Sequence, residues 1–151
     1  MELCIRAYDH PDAAKMIADL QQVYVERYGE ADITPVDPAQ FAAPLGYFVI
    51  GYLDGLPVAC GGWRVSDEVA GAAEIKRMYV VDSARGKGFS RLVLADLEAT
   101  ARAAGIERMV LETGIRQPEA VSLYTTSGYE RIANFGVYRD HPDSRCYGKS
   151  L

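Results

Sequence analysis

Apolar positions recur along the chain at helical spacing in two long segments. The first follows Asp9-His10-Pro11, in which Asp9 is a suitable N-cap and Pro11 fits the first helical turn. Its apolar residues stand at positions 13, 17, 20 and 24, and the pattern ends near Gly29, a typical helix terminator. The second covers residues 88–104 and stops at Gly105. Two long helices are therefore predicted.

Extended segments bounded by turn residues account for most of the remaining chain. Asp54-Gly55 is a hairpin signal that separates two of them. The predicted strands are residues 3–7, 47–53, 57–65, 73–81, 108–113, 129–133 and 146–149. Two shorter helices are predicted, one opened by Asp37-Pro38 and one running from Pro118 to just before Gly128. The order β-α-α-β-β-β-α-β-α-β-β predicts a mixed α/β sheet with helices on both faces, in a single domain over residues 1–151.

Composition and charge restrict the class of protein. Hydrophobic residues make up 49% of the chain and charged residues 25%, which is ordinary globular composition. Charged residues interrupt every apolar run before the roughly 18 residues of a membrane span, and the N-terminal residues do not resemble a signal peptide. We therefore expect a cytoplasmic protein without a membrane partner. The net charge of −5 argues against a nucleic-acid partner.

Cysteine and histidine are too few and too scattered to predict a metal site. Cys4, Cys60 and Cys146 have no CxxC spacing, so we expect reduced thiols, two or three of them buried. The two histidines, His10 and His141, each stand beside a proline. The sequence therefore gives little support for a zinc centre or a Ser-His-Asp triad.

The most informative segment is VVDSARGKGFS at residues 80–90, where a predicted strand passes through a turn into a helix. Gly86 and Gly88 allow close backbone approach, and the unpaired N–H groups and dipole of the helix N-terminus suit a phosphate. Arg85 and Lys87 add positive charge. The alternative is a glycine-rich turn with exposed basic side chains. The segment matches neither a Walker A loop, since Val81 stands where that pattern requires glycine, nor a Rossmann G-x-G-x-x-G.

The residues RGKGFS at 85–90 resemble the Q/R-x-x-G-x-G/A signature of the GNAT acetyltransferase superfamily, with Ser90 where the family usually has Gly or Ala. Residues 73–80 resemble the family's fourth strand, and residues 120–129 resemble its last helix and the following strand. The resemblance implies the GNAT acyl-CoA N-acyltransferase fold and acetyl-CoA as co-substrate, without a metal. It implies that backbone amides at 85–90 bind the pyrophosphate and that residues 78–80 contact the acetyl-pantetheine arm. Gln117 stands where the family often has Asn. The implied cofactor-binding residues are Met78, Tyr79, Val80, Arg85, Gly86, Lys87, Gly88, Phe89, Ser90, Gln117 and Tyr124.

An amine acceptor needs a general base, because an alkyl amine with a pKa near 10.4 is about 99.9% protonated at pH 7. Glu74 is the first candidate. Strand alternation would place it on one face with Lys76, Met78 and Val80, and a glutamate at the matching position is the base in the histone acetyltransferase branch. The alternative is that Glu74 forms an ion pair with Lys76 or another basic neighbour. Glu112, on the adjacent strand, is the rival base or a ligand of the substrate ammonium.

Tyr124 is predicted to be the catalytic acid. A phenol with a pKa near 10 stays protonated at neutral pH and can hydrogen-bond to the departing sulfur. Leu123 and Ser127 surround it at helical spacing, so the alternative is a core aromatic residue. The resemblance at Leu123-Tyr124 and Gly128-Tyr129 favours the acid role.

The predicted acceptor is the primary amine of a small molecule, acetylated by direct transfer in a ternary complex without an acetylated cysteine. The residues that could line its pocket are Tyr28, Tyr47, Trp63 and Tyr138, and the alternative is that they belong to the core and its rim. Two alternatives stay open: a protein lysine or N-terminal acetyltransferase, which should show an open groove, and a non-catalytic acyl-CoA-binding module. A homodimer is also compatible with the resemblance, because homodimers are frequent in the superfamily and the closing strands could pair.

Overall fold

The computed structural model describes residues 1–151 and shows the mixed α/β fold that the sequence predicts. The strands are β1 (Glu2–Ile5), β2 (Gly46–Leu53), β3 (Leu56–Val65), β4 (Ala72–Val80), β5 (Arg108–Gly114), β6 (Glu130–Ile132) and β7 (Ser144–Ser150). The helices are α1 (Pro11–Tyr28), α2 (Phe89–Ala103) and α3 (Pro118–Thr125), and 3₁₀ turns lie at Pro38–Phe41 and Asp82–Ala84. No helix is long and apolar enough to cross a membrane.

Two details of the helix starts differ from the prediction. His10, and not Asp9, caps α1, because its Nδ1 accepts a hydrogen bond from the backbone N–H of Asp12 at 3.1 Å. The second predicted helix is a single 3₁₀ turn, closed by a capping box between Asp37 and Gln40. It ends at Phe41, since the chain enters β2 only a few residues later.

The seven strands form one sheet in the order β1-β2-β3-β4-β5-β7-β6. All neighbouring strands are antiparallel except β4 and β5, which are parallel. These two strands pair only through Ala72–Glu74 of β4 and Arg108–Val110 of β5. Beyond that point they diverge, so residues 75–80 of β4 have no strand partner on the β5 side. The sheet therefore contains a cleft at its centre.

A β-bulge interrupts β4 beside this cleft. Arg77 and Met78 together lie opposite the single residue Gly61 of β3, and Arg77 has a left-handed φ of 63°. The Cys60 thiol donates a hydrogen bond to the carbonyl oxygen of Arg77 at 3.2 Å, and the Arg77 guanidinium donates to the Tyr8 hydroxyl at 3.0 Å. Contacts from two other elements thus hold the bulge in place.

The bulge reverses the alternation of side chains along β4. Ala73 and Ile75 before the bulge, and Met78 and Val80 after it, all contact the same apolar cluster beneath α2. The expectation that Glu74 shares a face with Met78 is therefore wrong. Glu74 lies on the opposite face of the sheet, because one extra residue moves every later side chain to the other side.

Apolar clusters hold the helices against both faces of the sheet. On one face, α2 and α3 contribute Val93, Leu94, Leu97, Ala101, Leu123 and Tyr124 to a cluster with β3, β4 and β5. On the other, α1 and the first 3₁₀ turn pack on β2 and β3 through Ala13, Met16, Phe41, Phe48, Ile50 and Cys60. Cys60 and Cys146 are buried and all three cysteines are free thiols, which confirms that prediction.

Replacing Phe48 with alanine is expected to lower the free energy of unfolding by about 3–5 kcal/mol. Phe48 is fully buried, and its ring packs edge-on against Tyr8 and Phe41 at centroid distances of 5.4 and 6.1 Å. Urea titration of both proteins measures the difference. Leu56→Ala is the matched control, because Leu56 is 66% exposed and should change stability by less than about 0.5 kcal/mol. Equal losses in the two variants would contradict this assignment of the core.

Candidate active site

The cleft between β4 and β5 opens into a cavity of about 260 Å³. Its walls combine apolar side chains from the α2 face with polar ones from the α1 face, because the diverging strands leave both faces accessible. All the predicted cofactor-binding residues except Lys87 line it. The structure therefore brings together residues of the loop after β4, of β4 itself and of α3.

The loop after β4 has the local geometry of an anion site. Gly86 and Gly88 have left-handed φ values of 76° and 79°, and Gly88 precedes α2 without any side-chain cap on the first-turn N–H groups. A Cβ atom added at either glycine would meet nothing within 4 Å, so the space above the loop is open. Uncapped N–H groups and the helix dipole favour a phosphate at this position.

The basic residues of the loop differ in their surroundings. Arg85 pairs with Asp82 at 3.2 Å and lies over the Tyr79 ring at 6.0 Å, and it lines the cavity. Lys87 is exposed and does not line the cavity. The backbone, rather than the lysine, therefore forms most of the loop's surface toward the cleft.

Tyr124 lies deep in the cleft, only 4% exposed, on α3. Its ring packs edge-on against Tyr129 with the centroids 5.5 Å apart. Burial raises the pKa of Tyr124, and no charged group or hydrogen bond contributes to that shift. The phenol therefore keeps its proton through the neutral range and beyond it.

Glu112 of β5 reaches the same cleft from the opposite side of the sheet. Its carboxylate accepts a hydrogen bond from the Ser144 hydroxyl at 3.0 Å. Burial raises the pKa of Glu112 to about 7, although the Ser144 hydrogen bond and the nearby Lys76 ammonium act in the other direction. A carboxyl group with this pKa can accept a proton and release it again near neutral pH.

Glu74, by contrast, is engaged in an ion pair and lines neither of the two main cavities. Its carboxylate lies 3.0 Å from Nη2 of Arg64, its cross-strand neighbour on β3. Arg64 in turn donates to the Pro35 carbonyl oxygen and the Gln40 side chain. The structure thus shows the ion-pair alternative, with Arg64 and not Lys76 as the partner.

A second cavity of about 360 Å³ adjoins the first. It lies between the C-terminal end of α1, residues 30–32 and residues 138–144. The two cavities share Tyr24, Asp32, Glu112 and Gln117 in their walls. These four residues therefore mark the junction of the two cavities.

Only two of the four aromatic residues expected in an acceptor pocket lie there. Tyr28 and Tyr138 line the second cavity. Tyr47 and Trp63 do not, and their placement in that pocket is wrong. Both pack beneath α2, where the Tyr47 hydroxyl donates to Asp96 at 2.7 Å and the Trp63 indole donates to Thr100 at 3.0 Å. They stabilise the helix against the sheet.

Sequence reasoning missed Tyr24 and Asp32 as site residues. A signal existed for Tyr24, because it stands one helical turn before Tyr28 and shares its face of α1. Asp32 follows the helix in a polar loop and carries no comparable signal. Burial by itself would raise the pKa of Asp32, but Lys76, Thr34 and Arg77 together lower it to about 2.

The fold and site define a class of protein. A chain of the same architecture from Klebsiella pneumoniae, assigned to the acyl-CoA N-acyltransferases, superposes with a TM-score of 0.82 at 29% identity, covering 99% of this chain and 97% of that one. The family model of the Acetyltransferase (GNAT) family matches residues 14–129. The chain belongs to this family, which confirms the resemblance drawn from residues 85–90.

Two further comparisons, one of sequence and one of structure, agree with this family. An IAA acetyltransferase from Azospirillum brasilense is 32% identical over 137 residues, which cover 91% of this chain and 89% of that protein. A GNAT family acetyltransferase from Elizabethkingia anophelis, solved with acetyl-CoA bound, has a TM-score of 0.71 at 14% identity and covers 99% of this chain and 97% of its own. At that identity the second comparison shows the shared fold.

Proposed function

We propose that this protein is an acetyl-CoA-dependent N-acetyltransferase that acetylates the primary amine of a small molecule by direct transfer in a ternary complex. The observation that carries the proposal is the pair of adjoining cavities. One begins at the uncapped N-terminus of α2, the other is polar, and Glu112 lies at their junction.

The residues of the first cavity suit acetyl-CoA. The open, uncapped loop around Gly86 and Gly88 would hold the pyrophosphate, and the main chain of residues 78–80 would face the pantetheine arm. When bound, acetyl-CoA supplies an activated thioester that an amine can attack. The Elizabethkingia anophelis relative with acetyl-CoA bound supports this choice of co-substrate.

Glu112 is the proposed general base. Its carboxylate lines both cavities, so it can accept the acceptor's proton at the point where the two substrates would meet. The pKa of about 7 leaves about half of the molecules in the basic form at pH 7. Glu74 is a weaker proposal for the same role, because Arg64 occupies its carboxylate.

Tyr124 is the proposed acid. Its protonated hydroxyl lines the first cavity and donates a hydrogen bond to the sulfur as negative charge develops there. As the amine nitrogen bonds to the acetyl carbon and the carbon–sulfur bond breaks, the proton that the nitrogen loses goes to Glu112 and CoA leaves as a thiolate hydrogen-bonded to Tyr124. The proposal has no acetylated cysteine, since none of Cys4, Cys60 and Cys146 lines either cavity.

The loops that border the second cavity favour a small-molecule acceptor over a protein segment. The Tyr138 hydroxyl accepts a hydrogen bond from the backbone N–H of Ile33 at 2.9 Å, which ties these two loops together. Glu30 and the other carboxylates in the lining suit a cationic amine.

Gly86→Glu is expected to weaken acetyl-CoA binding by about 100-fold or more, because it places a negative charge and bulk beside the proposed pyrophosphate site. Calorimetric titration of the purified protein with acetyl-CoA measures the effect. Micromolar binding to the parent protein, lost in this variant, would support both the co-substrate and the loop.

Gly105→Glu is the matched control. Gly105 also has a left-handed φ, 82°, and open space around it, but it follows the far end of α2. A 15-residue helix separates the two glycines, a distance of about 22 Å, so this variant should bind acetyl-CoA like the parent. Absence of binding to the folded parent protein would refute the acetyltransferase proposal.

A further inference from the structure

The positions of Lys76 and Glu112 lead to an inference that rests on the proposed function. Glu74 and Val110 are the last pair before the two strands diverge, and Lys76 and Glu112 each stand two residues further along the same face of their strands. Both line the first cavity. The Lys76 ammonium also acts electrostatically on the Glu112 carboxyl group, so the two side chains are neighbours in this cavity.

Lys76 binds a different carboxylate. Its ammonium donates to Oδ2 of Asp32 at 3.2 Å, and Asp32 lies in the loop after α1, not on the sheet. The same oxygen accepts from Nη1 of Arg77 at 3.1 Å. The Lys76, Arg77 and Asp32 side chains are at most 13% exposed, so solvent screens the cluster only weakly.

Asp32 is itself held rigidly. Its backbone N–H donates to Oε1 of Gln21 at 2.8 Å, and its carbonyl oxygen accepts from Nε2 of the same side chain at 3.3 Å. Its Oδ1 accepts from the backbone N–H of Thr34 at 2.9 Å. Arg77 has a further partner in the Tyr8 hydroxyl, so the arginine stays in place independently of Asp32. Lys76 has no other ion-pair partner.

We propose that Asp32 is a positioning residue that holds the Lys76 ammonium away from Glu112, so that the Glu112 carboxylate stays unpaired and can accept the acceptor's proton. Without Asp32, the lysine side chain would turn to Glu112, because the other carboxylate on its face of the sheet, Glu74, is already paired with Arg64. An ion pair there would stabilise the charged form of Glu112 and make it a weaker base.

Other groups also act on Glu112, and the test must separate their titrations from its own. The titratable or charged groups that face it or share its cavities are Glu74, Lys76, Arg77, Tyr24, Tyr28, Glu30, Asp32, Tyr79, Arg85, Arg116, Glu119, Tyr124, Tyr138, His141, Asp143 and Cys146. Carbon-13 NMR of the glutamate carboxyl groups measures the titration of Glu112 directly. The signal that is missing from the spectrum of Glu112→Gln identifies the Glu112 resonance.

Three variants are expected to change the midpoint of the Glu112 titration in three different ways. Asp32→Asn removes a negative charge and releases the ammonium, so the midpoint of the Glu112 titration should fall by about 1 pH unit. Lys76→Met removes the ammonium, so the midpoint should rise. The double variant has the parent's net charge and no ammonium to redirect, so its midpoint should return close to the parent value.

The rate of acetyl transfer is measured across the same pH range, with an acceptor drawn from an amine panel. If Asp32→Asn leaves the Glu112 midpoint unchanged, or if the double variant shifts as far as Asp32→Asn alone, the proposal is overturned. A uniform loss of rate at every pH without a shift would show a merely structural role for Asp32. Lys76→Met gives an independent answer even if Asp32→Asn does not fold.

The proposal and the proposed function fail in different ways. If the NMR midpoints move as expected and the pH–rate profiles move with them, both are supported. If the midpoints move while the rate profiles do not, Asp32 controls Glu112 as proposed, but Glu112 is not the general base.

Discussion

Glu112→Gln is expected to lower kcat about 1,000-fold while acetyl-CoA binds as in the parent protein. Glutamine preserves the shape of the side chain and can still accept the Ser144 hydrogen bond, but it cannot take a proton. In the parent protein, kcat/KM should fall tenfold per pH unit below about 7, because protonation removes the base. This dependence should be absent from the variant. Steady-state kinetics from pH 5 to 9 and calorimetry together measure both effects.

Glu74→Gln distinguishes the two glutamates. It breaks the ion pair with Arg64, so it should lower stability, but the dependence of kcat/KM on a group titrating near pH 7 should persist. If that dependence disappears in Glu74→Gln and remains in Glu112→Gln, Glu74 is the base. The acceptor's own ionisation affects all three proteins alike and therefore does not confuse the comparison.

Tyr124→Phe is expected to lower kcat about 100-fold with little change in the KM for acetyl-CoA. The phenol's hydrogen bond strengthens only as the sulfur gains negative charge, so its loss affects the transition state and not substrate binding. Burial raises the pKa of Tyr124, so the parent enzyme should keep this acid at alkaline pH. The loss should be smaller with a thioester whose thiol is more acidic, because that leaving group needs less assistance.

Tyr129→Phe is the control for the loss of a buried hydroxyl. Tyr129 packs against Tyr124, but its hydroxyl donates to Glu98 at 2.8 Å and it does not line the cleft. This variant should lose about 1 kcal/mol of stability and retain its turnover. An equal loss of kcat in both variants would assign Tyr124 a packing role only.

Local sequence patterns predicted the parts of the site that are continuous along the chain. The loop at residues 85–90 depends on two glycines and on the start of α2, and these features need only neighbouring residues. Tyr124 likewise lies in one short helix, α3, and the cavity contains it as expected. Both segments lie within residues 14–129, which the family model matches.

The choice between the two glutamates required contacts that no local pattern contains. The regular alternation of side chains along a strand predicted that Glu74 lies on the same face as Met78. The bulge at Arg77 instead moves the residues after it to the other face. The Tyr8 hydroxyl, Asp32 and Cys60 hold that bulge, and they lie 69, 45 and 17 residues away in the sequence. The second cavity depends in the same way on loops that are far apart in the sequence and are joined by Tyr138 and Ile33.

The order of elements and the glycine loop at residues 85–90 therefore follow from the amino-acid sequence, because hydrophobic spacing, capping residues and glycines act over a few residues. The family follows from the resemblance of short segments to known signatures. The position of the proposed base, the pairing of Lys76 with Asp32 and the walls of the second cavity arise only in the folded chain. They depend on where β4 and β5 stop pairing and on charges brought together from distant segments. Burial at this junction also sets the proton affinity of Glu112, and burial is a property of the assembled protein.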